Sequence, residues 1–173
     1  MTATGRVEAI WITEEGSAPM ERRERVSTVE GGLEGDRYCR GTGYYSGFDG
    51  CQVTLIAGEV IETVGSEFGI DLTDGRHRRN LVIRGVSLED LLDHRFQIGE
   101  ATLAGTRPRP PCAHLADVAG DAALPKSLRD GRGGICADVL DPGEIAVGDE
   151  IQIGERVTVD PDDIAAGIRS RYE

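Results

Sequence analysis

The chain has 173 residues, 39% of them hydrophobic, and its 31 acidic residues against 19 basic ones give a net charge of −12. That length holds one hydrophobic core, or one core with a small appendage, and no apolar run approaches the ~20 residues of a membrane-crossing helix. A surface this acidic repels duplex nucleic acid, and residues 1–6 lack a basic stretch leading into an apolar one, so the expectation is a cytoplasmic protein with no nucleic-acid or membrane partner. The only lysine is Lys126; an acidic excess so poor in lysine has two readings, adaptation to high salt or a GC-rich genome that favours arginine codons.

Residues 6–12 alternate polar and apolar and predict a half-buried strand. Residues 31–38 form a glycine-rich turn that carries Asp36 and Arg37. It lacks the G-K-[ST] ending of a P-loop and the G-x-G-x-x-G of a dinucleotide fold, which leaves a structural Asp–Arg bond or a cofactor contact. Residues 41–50 are rich in glycine and aromatics, as in loops that line or cover a pocket. The β-branched run at 52–56 predicts a strand, and 59–68 a helix stopped by Gly69. Arg76-His77-Arg78-Arg79-Asn80 then concentrates positive charge before a strand at 80–83. In a chain this acidic such a cluster is either a solvated basic loop or an anion site, because guanidinium forks match phosphate oxygens. Ser87 with an acid three residues on predicts a capped helix start. Residues 95–98 and 101–104 around Gly99-Glu100 read as a hairpin, and 113–118 and 124–129 as short helices. Residues 135–140 and 145–153, joined by Asp141-Pro142-Gly143-Glu144, read as a second hairpin, since proline sets φ and glycine supplies φ > 0. The remainder, from 157, reads as a surface tail with a helix capped near Asp160-Pro161. Many short strands and few long helices predict a mainly β fold, a single-domain β-barrel with short peripheral helices.

The stretch richest in chemistry is Arg107-Pro108-Arg109-Pro110-Pro111-Cys112-Ala113-His114-Leu115. Three prolines stiffen it and remove amide donors. Arg107 and Arg109 raise the local positive potential, a following helix start would add to it, and both favour the Cys112 thiolate. A thiolate is a nucleophile and a soft metal ligand; a buried structural cysteine is the alternative. Two basic clusters, 76–79 and 107–109, are candidates for one pocket that takes a phosphorylated cofactor. His114 lies two residues past Cys112 and is placed to tune the thiol, although Cys-x-His is a weak metal motif. The other cysteines, Cys39, Cys51 and Cys136, make no C-x-x-C pair, which speaks against a zinc ribbon or thioredoxin-type motif. Without a secretory leader a disulfide scaffold is not expected.

Taken in order, these segments resemble the MOSC family, named after the C-terminal domain of molybdenum cofactor sulfurase, in its small stand-alone form. The resemblance is carried by Gly32-Leu33-Glu34-Gly35-Asp36-Arg37, by Gln52-Val53-Thr54-Leu55-Ile56 with Glu59, and by Arg78-Arg79-Asn80-Leu81-Val82-Ile83-Arg84-Gly85 with Ile98-Gly99-Glu100-Ala101. Pro111-Cys112-Ala113-His114-Leu115, Arg132-Gly133-Gly134 and Gly143-Glu144-Ile145-Ala146-Val147-Gly148-Asp149 complete it. It implies a barrel domain over residues 5–154, with 155–173 a tail or helix, and a molybdopterin-type cofactor. Cys112 would correspond to the family cysteine that ligates molybdenum or carries sulfur as a persulfide. Arg78, Arg79 and Asn80 would hold the pterin phosphate, with Arg109, Asp36 and Arg37 as further cofactor-binding residues; prolines 110 and 111 replace residues that offer donors in amidoxime-reducing members. The implied activity is a molybdenum-dependent reductase of N-hydroxylated small molecules that takes electrons from an external partner. The alternative is a non-catalytic carrier that passes sulfur or molybdenum cofactor to a receiving enzyme. Pyridoxal phosphate is not expected, because it belongs to the fused sulfurase domain and its Schiff base would need Lys126.

Overall fold

Seven strands of the computed structural model, which describes residues 3–14, 18–37, 51–109, 123–129 and 132–157, close into a barrel. The elements are β1 (Ala3–Ile12), β2 (Glu21–Arg23), β3 (Arg25–Val29), β4 (Gly32–Leu33), β5 (Val53–Ala57), α1 (Gly58–Phe68), β6 (Leu81–Arg84), β7 (His94–Ile98), β8 (Ala101–Pro108), α2 (Leu124–Ser127), β9 (Ile135–Asp141), β10 (Glu144–Ala146) and β11 (Glu150–Arg156). The barrel order is β11-β7-β8-β9-β5-β6-β1, and β1 pairs back onto β11. Strand β2 extends the sheet from β1, and β10-β3-β4 form a separate three-stranded sheet. The fold is therefore mainly β, a closed barrel with two short helices among the described residues.

One unit departs from antiparallel pairing. Strands β5 and β6 are parallel, with Leu55 opposite Leu81 and Ala57 opposite Ile83, and α1 makes the crossover that parallel neighbours require. Both faces of β5 are consequently covered. Val53, Leu55, Leu81 and Ile83 fill the barrel interior, whereas Ile56 and Val82 join Ala9, Trp11, Val64, Leu72, Leu124 and Leu128 in a second apolar cluster. That double burial is why residues 53–56 read as a continuous run rather than an alternation. Helix α1 ends on Gly69 in the left-handed region (φ 67°), as its sequence predicts.

Four expectations change. The residues from Ser87 make only a turn of 3-10 helix over Leu88–Leu91, and the Ser87 side chain makes no cap bond. The second hairpin does not form: β9 pairs with β8 and β5, β11 pairs with β7 and β1, and the Asp141-Pro142-Gly143 turn delivers the chain to β10, which pairs with β3. Thr28 fixes that crossing, its hydroxyl accepting the Gly143 N–H at 2.8 Å while its own N–H donates to the Gly143 carbonyl at 2.9 Å. Strands β2, β3 and β4 are additions to the elements read from sequence. Finally, Cys51 and Cys136 form a disulfide that spans 85 residues, with Cα atoms 5.5 Å apart. The sequence reading expected no disulfide scaffold, but adjacent strands β5 and β9 bring this pair into bonding range. The predicted loop at 41–50, the helix at 113–118 and the tail helix near residue 160 lie outside the described residues.

Candidate functional site

The residues that precede β6 form the centre of the site. Asn80 is fully buried, and its side chain joins three strands. Its Oδ1 accepts the Thr54 N–H at 3.0 Å and the Thr54 hydroxyl at 3.1 Å, and its Nδ2 donates to the Trp11 carbonyl at 3.0 Å. The backbone adds Asn80 N–H to the Thr54 hydroxyl at 2.9 Å and Trp11 N–H to the Asn80 carbonyl at 2.7 Å. A polar residue in the middle of an apolar strand, such as Thr54, must find a partner inside the protein; that rule was the available signal for the Thr54–Asn80 pair.

Arg78 and Arg79 are buried, 6% and 5% exposed, so the reading of this segment as a solvated basic loop does not hold from His77 onward. Arg78 adopts φ 60°, an uncommon left-handed position for a non-glycine residue. Its guanidinium donates to the Ala18 carbonyl at 2.6 Å, while its own carbonyl accepts from Arg37 at 2.9 Å. Arg79 donates through Nε to the Gly133 carbonyl at 2.7 Å. Arg76 stays at the surface, held by Asp74 at 2.8 Å, and that bond keeps the Asp74 carboxyl below its usual range.

The Asp36-Arg37 pair comes to the same place from β4. Asp36 is fully buried and accepts from Arg37 at 3.1 Å and from the Thr13 N–H at 3.2 Å. Opposite, the Arg109 N–H donates to the Gly134 carbonyl at 2.8 Å, and Arg109 itself is half-buried at the end of β8. Gly134 has φ 93°, and a Cβ there would collide with the Leu55 carbonyl; the close approach of this turn to β5 requires glycine. A chain of contacts thus links Arg37, Arg78, Arg79, the Gly133-Gly134 turn and Arg109. Of the residues singled out in the sequence, Asp36, Arg37, Arg78, Arg79, Asn80 and Arg109 are brought together. Cys112 and His114, together with prolines 110 and 111, lie outside the described residues.

His77 carried no sequence signal and proves to be a pivot of the segment. It is fully buried, accepts the Arg79 N–H on Nδ1 at 2.9 Å, and meets Trp11 edge-on with ring centroids 6.4 Å apart. Burial, reinforced by the positive charge of Arg79, pushes its pKa down to about 3. It is therefore a neutral imidazole at physiological pH, protonated on Nε2 because Nδ1 is the acceptor.

Three buried guanidiniums, Arg37, Arg78 and Arg79, and one buried carboxylate, Asp36, meet here among the described residues. Guanidiniums remain ionised when buried, and their planar forks match the oxygens of a phosphate. These residue types suit the phosphate of a molybdopterin-type cofactor. No group of three or more metal-ligating side chains occurs among the described residues.

Comparison with known proteins bears on the family and the fold. A family model for the MOSC domain matches residues 42–152. No curated protein sequence matches the chain. Among solved structures, the YuaD protein of Bacillus subtilis superposes with a TM-score of 0.70 at 18% identity, covering 86% of this chain and 94% of that one. YiiM from Geobacillus stearothermophilus gives a TM-score of 0.69 at 19% identity, covering 87% of this chain and 75% of that one. YiiM from Escherichia coli gives 0.65 at 21% identity, covering 94% and 76%.

Proposed function

The chain belongs to the MOSC domain family, and on that premise we propose that it binds a molybdenum cofactor and acts as a molybdenum-dependent reductase of N-hydroxylated compounds, with a separate redox protein as electron donor. The observation that carries this reading is the buried guanidinium cluster, Arg37, Arg78 and Arg79 with Asp36 as its one buried carboxylate among the described residues. Arg78 and Arg79 hold the anionic tail of the cofactor, where forked N–H groups match phosphate oxygens. Asn80 and Asp36 are positioning residues: Asn80 ties the arginine segment to β1 and β5, and Asp36 orients Arg37. Arg109 approaches from β8 and leads, three residues on, to Cys112. The Cys112 thiolate is the soft ligand that suits molybdenum. Bound at this cluster, the cofactor would supply two-electron removal of an oxygen atom. Across the reaction the N–OH compound takes up two electrons and two protons and leaves as the amine and water.

A second reading keeps the same residues and makes Cys112 a persulfide that delivers sulfur or cofactor to another enzyme. Cys51 and Cys136 are tied together, so on this reading sulfur transfer would fall to Cys112 or Cys39.

The test is metal analysis and pterin fluorescence of protein purified from a host that makes the cofactor, followed by turnover of an N-hydroxylated substrate with a reductant. We expect roughly stoichiometric molybdenum and pterin in the wild type and loss of molybdenum in Cys112→Ser with the fold retained. Arg109→Ala keeps the backbone bond to Gly134 and should release pterin, each charge-assisted contact contributing about 1.5–3 kcal/mol. Turnover selects the reductase; a loaded but inactive protein with a Cys112 persulfide selects the carrier. Cofactor-free protein from such a host that also lacks a Cys112 persulfide, or a Cys112→Ser variant with full metal and activity, overturns both.

A further inference from the structure

The Cys51–Cys136 disulfide lies in the part of the barrel that seats the arginine segment. Ile135 and Ala137 fill the barrel interior, so Cys136 between them faces outward, because side chains alternate along a strand. Cys136 stands opposite Thr54 on β5 and opposite Arg107 on β8, and its carbonyl accepts the Thr106 hydroxyl at 3.2 Å. Thr54 in turn holds Asn80, and Asn80 holds the Trp11 carbonyl. Arg107, Cys136, Thr54, Asn80 and Trp11 thus make one row across β8, β9, β5, the entry to β6, and β1. The disulfide joins the middle of that row to Cys51, two residues before β5.

Burial and pairing set the chemistry of this bond. Both half-cystines are closed to solvent, Cys51 at 2% exposure and Cys136 at 0%. Exchange begins with attack of a thiolate on one sulfur and depends on access to it, so a reductant reaches the bond only when the row opens. The bond is also not the only tie between its strands. Val53, Thr54 and Leu55 pair with Ala137, Cys136 and Ile135, and the Gln52 side chain accepts the Val139 N–H at 2.9 Å. These contacts remain when the S–S bond is broken. What the bond adds is a constraint on the unfolded chain, across a sequence separation of 85 residues.

We propose that Cys51–Cys136 is a latched redox switch: the bond is withheld from thiol reductants while the row is closed, and its reduction leaves a folded but less stable barrel. In the switching step a dithiol reductant gives up two electrons and two protons. The S–S bond breaks, Cys51 and Cys136 become thiols, and the reductant closes to its own disulfide. The opening that admits the reductant passes through the Thr54–Asn80 tie, the same tie that seats the arginine segment.

The experiment exposes the whole protein to dithiothreitol in native buffer and in urea up to and beyond the unfolding transition, traps thiols by alkylation and maps them by mass. Native reduction should be at least about a hundredfold slower than reduction of the unfolded chain, and below the transition its rate should rise only weakly with urea, the mark of a local opening. Thr54→Val removes the hydroxyl tie and should speed native reduction at least about tenfold. Phe96→Leu, across the barrel on β7, should not. The reduced protein should stay folded with Tm lower by roughly 10 °C. Free thiols at both positions in air-oxidised protein would overturn the proposal, as would native reduction at the unfolded rate or a urea dependence as steep as that of global unfolding. So would equal reduction rates in folded Thr54→Val and wild type, equal acceleration in the two variants, loss of the fold on reduction, or a reduced-state Tm within about 2 °C of the oxidised one. Should either variant fold poorly, the urea dependence and the Tm of the reduced wild type decide alone.

Discussion

His77 shows how a single side chain takes its properties from its surroundings. Three residues before Asn80, it was indistinguishable in the sequence from a surface histidine, because its partner is the backbone N–H of Arg79 and its neighbour is Trp11, 66 positions earlier. Arg78, Arg79 and Asn80 were legible as a polar block with a purpose, since an acidic chain had to have a reason to gather them. What the block attaches to was not legible, because Gly133, Ala18 and Thr54 come from three distant segments. The buried imidazole leads to a definite pH dependence. The unfolded chain takes up a proton at His77 near its ordinary pKa of 6.5, whereas the native state resists until about 3. Between those values the unfolded state binds more protons, so this residue lowers stability as pH falls through the window and restores it as pH rises, with a slope of at most about 1.4 kcal/mol per pH unit. Nitrogen-correlated NMR of the imidazoles at pH 5 should find His77 neutral with its proton on Nε2. A protonated His77 at that pH in folded protein would contradict its burial.

At the level of elements, the parallel β5-α1-β6 unit was the clearest in the sequence. A continuous apolar run followed by a helix with a glycine stop says that both strand faces are covered. Strands β2 and β4 were not legible, because β2 is the exposed triplet Glu21-Arg22-Arg23 and β4 has two residues, too short for any periodicity to register. The second hairpin was misread for a related reason. Alternation fixes which face of a strand is buried but not which strand lies beside it, and in a closed barrel β9 and β11 find partners far along the chain. Asn80 shows how the barrel secures such distant pairings. Its side chain bonds β5 and β1 at the start of β6, so Asn80→Ala leaves the Thr54 N–H and the Trp11 carbonyl without these partners in the interior. The expected loss is about 2–4 kcal/mol, which for a chain of this size lowers Tm by roughly 5–15 °C. Thermal melts followed by circular dichroism will measure it. A shift of under about 2 °C would mean that water replaces the asparagine without loss and that the segment does not depend on this tie.

Over the whole molecule, charge is the property that composition alone determines, and it bears on stability rather than on fold. The chain carries 31 carboxylate residues against 19 lysines and arginines, so folding gathers negative charges that the unfolded chain keeps apart. The described ion pairs do little to offset this. Arg23–Glu21, Arg25–Glu144, Arg95–Glu155 and Arg132–Glu67 have partners that are between a third and three-quarters exposed, where a pair contributes about 0–1 kcal/mol and is itself weakened by salt. Two effects of added salt therefore oppose each other. Screening weakens a handful of surface pairs, and it also weakens repulsion among the 12 carboxylates left over from the charge balance. The buried pair Asp36–Arg37, at 0% and 4% side-chain exposure, is shielded from both. Repulsion involves every excess charge on the surface, whereas each exposed pair is a local and marginal contact, so relief of repulsion dominates. Tm should rise from low salt to molar sodium chloride, and most of the rise should come below a few hundred millimolar, where the screening length has already shrunk to a few ångströms. Calorimetric or fluorescence melts across that range are the measurement. A flat or falling Tm would remove the case for salt adaptation and leave the arginine-rich, lysine-poor composition to codon usage.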